Sequence, residues 1–98
     1  PVCEGVSLKH LGTGEDSGGL FSYPLVRIEP GKAIGRHIHD PQLETHEVAA
    51  GRGVCRNDGA RIEYGPGVIS IFRPKTAHEV VAGEEGLLLL AKFMPPLC

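Results

Sequence analysis

At 98 residues the chain has room for one domain, which excludes a multi-domain enzyme. A hydrophobic share of 41% with a charged share of 22% is that of an ordinary soluble globular protein and excludes a chain too polar to fold. The 10 basic and 12 acidic residues are scattered and leave a net charge of -2, so no basic footprint for nucleic acid is present.

The first residues, Pro1-Val2-Cys3-Glu4-Gly5, carry neither a basic segment nor an apolar stretch, so a signal peptide finds no support and the expected location is the cytoplasm. Residues 1–19 read as an N-terminal segment outside the core, with Gly12 to Gly19 a mobile loop, because its small and acidic residues bury little apolar area. No window free of glycine and proline carries a helical stripe. Short strands are predicted instead over 20–28, 33–38, 45–50, 53–56, 60–64, 68–72, 77–81 and 87–93. The 14 glycines and 8 prolines supply turns between them, at Glu29-Pro30-Gly31, Gly51-Arg52-Gly53, Gly65-Pro66-Gly67, Arg73-Pro74-Lys75 and Gly83-Glu84-Glu85-Gly86. Asn57-Asp58-Gly59 reads as a hairpin tip. Gly86 to Ala91, the longest apolar run, falls far short of the roughly 20 residues that cross a bilayer, so no membrane span is expected. The expectation is a single antiparallel all-β domain over 1–98, a sandwich or barrel with its core at about 20–95.

Val48, Ile69, Ile71, Val80 and Leu88 or Leu89 are the expected core aliphatics. Tyr23, Tyr64, Arg27, Arg56 and Arg73 could orient an acidic substrate, although a lone surface residue is the plainer reading of each. His10 reads as a solvated side chain. Cys3, Cys55 and Cys98 are odd in number and contain no CxxC pair, which fits free thiols in a reducing compartment, with Cys55 a small buried hydrophobe.

The chemistry concentrates in Gly31 to His46. His37 and His39 stand two apart and face one side of a strand, as do Glu44 and His46. Asp40-Pro41-Gln42 reads as a turn that returns the next strand beside the first, bringing Glu44 toward the two histidines. A metal cluster and a set of half-buried, hydrogen-bonding histidines both fit that spacing.

The longer pattern resembles the cupin family. Its first motif is glycine, five residues, HxH, three or four residues, glutamate, six residues and glycine, matched by Gly31, His37, His39, Glu44 and Gly51. Its second is similar to Gly67, Pro74 and His78, with Pro74 one place late, Lys75 and Thr76 replacing a glycine, and Ala82 where asparagine is common. The likeness runs from about Leu25 to Pro95 and implies a double-stranded β-helix, or jelly roll, in which His37, His39, Glu44 and His78 bind one divalent transition metal. Three imidazoles and a carboxylate suit Fe, Mn, Ni, Co or Zn, and four protein ligands on an octahedral ion leave two positions open. His46 is a candidate catalytic acid or base, a fifth ligand, a partner of the ligands or a plain pocket-wall histidine. Thr45, Glu47 and Glu79 are expected to face away.

The function expected on this basis is a metal-dependent enzyme of dioxygenase, decarboxylase or isomerase type acting on a small polar metabolite. The alternative is a non-catalytic module whose ion anchors a carboxylate or sugar. A zinc hydrolase of the metallo-β-lactamase type is excluded, since Pro41 follows His37-Ile38-His39-Asp40 where that motif needs Asp and then His, and its fold is far longer. Pairing of barrels through edge strands makes a homodimer the expected assembly.

Overall fold

Alternation of buried and exposed side chains organises the chain. In the computed structural model, which describes residues 4–97, seven strands form: β1 (Val6–Gly12), β2 (Tyr23–Ile28), β3 (Ala33–Ile38), β4 (Leu43–Asn57), β5 (Ala60–Tyr64), β6 (Ile69–Phe72) and β7 (Ala77–Met94). Every pairing is antiparallel, in the order β1-β2-β7-β4-β5, with β3 on β7 and β6 on β4.

The long strands β4 and β7 pair with each other and hold the shorter strands at their two ends. β7 meets β3 through residues 77–81 and β2 through 87–90. β4 meets β6 through 44–47 and β5 through 53–57. The ribbon folds upon itself and encloses Val26, Ile28, Val48, Phe72, Val80, Leu87, Leu89 and Phe93, which is the expected jelly roll. Among the described residues no helix is long and apolar enough to cross a membrane.

β3 and β5 have the predicted bounds. The hairpin tip is also as expected: Asp58 and Gly59 both have positive φ, 50° and 88°, and Asn57 pairs with Ala60, the two-residue turn whose twist suits antiparallel strands. Two predicted turns are absent as turns. Gly51-Arg52-Gly53 lies inside β4 and Gly83 to Gly86 inside β7, so four predicted strands are two. The β4–β7 register steps from Gly51↔Leu87 to Gly53↔Ala82, so the turn-like residues become a bulge in a continuous bent ribbon. Gly51 takes φ 88°, and a Cβ there would run into the Gly86 carbonyl oxygen, so the bend requires glycine.

The N-terminal segment adds a strand and turns, and one further expectation is corrected, at Ile69 and Ile71. β1 lies in the segment read as outside the core; nearly all its side chains are exposed, so its pairing with β2 leaves no apolar alternation to read. Residues 14–19 form turns, held by local hydrogen bonds: the Thr13 backbone N–H donates to Asp16 Oδ2 at 2.9 Å, and the Phe21 N–H to Ser17 Oγ at 3.0 Å. Ile69 and Ile71, expected in the core, are 63% and 61% exposed, because Ser70 and Phe72 hold the inward positions of β6. Val48, Val80 and Leu89 are buried as expected, and so is Cys55 as a free thiol, whereas Cys3 and Cys98 lie outside the described residues.

Candidate metal centre

β3 supplies His37 and His39, the latter just past its end, β4 supplies Glu44 and β7 supplies His78. The expected turn at Asp40-Pro41 does not lay β4 beside β3. Both strands pair with β7 instead: His37 stands opposite His78, while Glu44 stands opposite Phe93 further along the same strand. The bend of the ribbon brings Glu44 back over His78. One ligand atom from each of His37, His39, Glu44 and His78 then lies within 4.8 Å of all the others.

Tautomers follow from the hydrogen bonds, since a carbonyl only accepts. The His37 Nδ1–H donates to the Gly35 carbonyl at 2.8 Å and the His78 Nδ1–H to the Thr76 carbonyl at 3.3 Å, which leaves each Nε2 with a lone pair when the ring is neutral. His78 Nε2 and Glu44 Oε1 are 2.9 Å apart yet form no hydrogen bond, and both are buried without a partner. His39 Nε2 is 3.5 Å from the same oxygen. Buried polar atoms left this way are costly unless something cationic stands between them. The donor set therefore fits a metal ion, and this group of three histidines and one glutamate could bind one.

Surrounding residues hold these side chains in place. Phe72 stacks on His78 with ring centroids 4.1 Å apart, and Phe93 meets His39 edge-on at 5.1 Å. His46 is buried beside Glu44 on the inward face, as strand parity predicts. Its Nε2–H donates to Glu44 Oε2 at 2.6 Å, and its Nδ1 is 3.0 Å from the Tyr64 hydroxyl. Both ring nitrogens are thus engaged.

Burial pushes the Glu44 carboxyl up, but the hydrogen bond from His46, the contact with His78 and their charge outweigh it and hold the group at about 2. Burial lowers His39, assisted by the neighbouring histidines and opposed by Glu44, which favours the neutral ring a metal needs. Burial raises the Cys55 thiol and the Tyr64 phenol, so both stay protonated near neutrality.

Tyr64, expected at the surface, is 2% exposed and belongs to this network; its inward position follows from alternation with exposed Arg61 and Glu63. Arg27, Arg56 and Arg73 lie at the surface and do not join the cluster. Glu47 is exposed, and Thr45 and Glu79 are half-buried outside the cluster. His10 sits on exposed β1, away from the cluster. A cavity of about 520 Å³ opens onto His37, His39, Glu44 and His46.

The family model described as the cupin domain matches residues 24–91. A predicted oxalate decarboxylase from Thermotoga maritima superposes with a TM-score of 0.87 at 22% identity, over 92% of this chain and 80% of that one. KdgF from Halomonas sp. gives 0.87 at 21% identity, over 97% and 83%. A sugar phosphate isomerase of the cupin superfamily from Silicibacter pomeroyi gives 0.79 at 28%, over 93% of this chain and 60% of that one. A search of curated proteins found no match. The family match spans most of the strands built above, from β2 into β7, and includes all four residues of the cluster: the chain belongs to the cupin family.

Proposed function

We propose that this cupin is a metal-dependent enzyme that acts on a small metabolite, with His37, His39, Glu44 and His78 holding one Fe, Mn, Ni, Co or Zn ion. The observation that carries this reading is the convergence of His78 Nε2 and Glu44 Oε1, both buried and in no hydrogen bond, with His37 and His39, where His37, His39 and Glu44 line a cavity. A bound ion supplies Lewis acidity toward an oxygen-bearing ligand. The chain's own residues prepare the site: Glu44 stays ionised, and His46 holds Glu44 in place. Dioxygenation, decarboxylation and isomerisation are the reaction classes this reading covers.

A non-catalytic binding module is the second reading, and the engagement of both His46 nitrogens favours it, since that ring is not free to take a substrate proton as it stands. Elemental analysis of protein purified without added metal is the test. About one transition ion per chain is expected, and none in His37→Ala/His39→Ala. Absence of metal from both, with no uptake on reconstitution, overturns the proposal. Turnover of small acids, keto acids or thiols by the loaded protein then separates enzyme from binder.

A cytoplasmic homodimer belongs to the same proposal. The edge strand β6 exposes Ile69 and Ile71, and a second copy would cover them, so light scattering should give twice the chain mass.

A further inference from the structure

Beyond the cluster and His46, the 520 Å³ cavity is walled mainly by hydrocarbon. Val6 and Leu8 of β1, Ile34 and Ile38 of β3, and Phe93 of β7 line it, and Leu97 closes one side. Among the described residues, Arg36 is the one other charged side chain on this wall. Leu97 is held in place, because its backbone N–H donates at 2.7 Å to the hydroxyl of Ser22, itself fully buried and bridged to Phe93. Leu8, Ile38 and Leu97 remain 37%, 57% and 43% exposed, so large aliphatics stand partly in water around the metal-facing floor.

A ligand covered with hydroxyls would give up hydration along this wall and receive few hydrogen bonds in return. An alkyl chain would bury itself and cover the exposed aliphatics. At the floor the chemistry reverses: an ion there takes oxygen donors, and Arg36 on the wall is a cation that suits an acidic head. We infer that the ligand of this site is amphipathic, a metal-chelating carboxylate or 2-oxo acid head carrying an aliphatic tail, rather than a sugar or a short diacid. This inference rests on the metal-centre reading above and narrows the small polar metabolite expected from the sequence to one whose polarity lies in its head. The cavity volume is within the range of small-molecule sites and exceeds what a two-carbon acid fills.

The test is calorimetric titration of the Co(II)-loaded full chain with straight-chain 2-oxo acids from pyruvate to 2-oxooctanoate, with gluconate as the polar comparison. Visible absorption of Co(II) reports metal loading independently. Affinity should tighten about threefold to fourfold per added methylene until the cavity is filled. In Leu8→Ser, a change at a part-exposed position, the gain per methylene should shrink. Loaded protein that binds pyruvate with no dependence on chain length, or binds gluconate as tightly as 2-oxooctanoate, overturns the inference and leaves the metal centre standing. A second copy seated over the cavity mouth would exclude the longer acids and give the same negative result. Protein that takes up no Co(II) overturns both readings together.

Discussion

The hydrogen bond from His46 to Glu44 decides how the carboxylate can turn. Of the two Glu44 oxygens, Oε2 is tied to His46 at 2.6 Å, so Oε1 is left to face His78 and His39. His46 thereby positions the Glu44 carboxylate. His46→Ala should weaken metal binding about 10- to 100-fold, measured by chelator competition. Tyr64→Phe takes the hydroxyl from a buried ring nitrogen and should cost about 1–2 kcal/mol in urea unfolding, with a smaller effect on metal affinity. Unaltered metal affinity in His46→Ala would show that Glu44 is oriented by its strand alone. The inward face of His46 was legible because it stands two residues past Glu44. The partnership with Tyr64 was not, since nothing local to Ala60–Tyr64 shows that this strand folds over the start of β4.

At the scale of the element, β6 shows how a short apolar run conceals its direction. In Ile69-Ser70-Ile71-Phe72 the aliphatics outnumber the single polar residue, so burying Ile69 and Ile71 looked natural. The alternation is opposite, and Phe72 is 1% exposed against the histidine rings while the isoleucines face out. Phe72→Ala should lose about 3–5 kcal/mol by denaturant unfolding. Ile71→Thr, measured on the dissociated single chain, should stay within about 0.5 kcal/mol. Comparable losses from both would restore the original orientation. The bounds of β3 and β5 were readable because turn residues flank each one. Those of β4 and β7 were not: Gly51-Arg52-Gly53 and Gly83 to Gly86 have the composition of turns but act as bulges, which only the pairing of two long strands reveals. The four-residue cluster was legible from motif spacing, whereas the aliphatic wall draws on β1, β3, β7 and Leu97, residues that no local pattern groups.

Acid acts on the whole molecule through the same buried groups. His39 is held below its ordinary 6.5, so the unfolded chain takes up that proton first and the metal-free protein loses stability as pH falls through 6.5. Glu44 is held at about 2 against an ordinary 4.5, so its contribution is complete above 4.5 and is lost as pH falls from there toward 2. The urea midpoint of the chelator-treated protein should therefore begin to fall below about pH 6.5 and fall further below 4.5. In Glu44→Gln the second decline should shrink. A midpoint constant from about pH 7 to about pH 3 would mean that neither group differs between the folded and unfolded states.

β7 is the partner of β2, β3 and β4 alike, yet it follows all three in the chain. As the ribosome releases the polypeptide, β2 and β3 each emerge before residues 77–94 exist to pair with them, and β4 can satisfy only the edge that meets β5 and β6. The sheet closes late, and until then the nascent chain offers open edges to any extended neighbour.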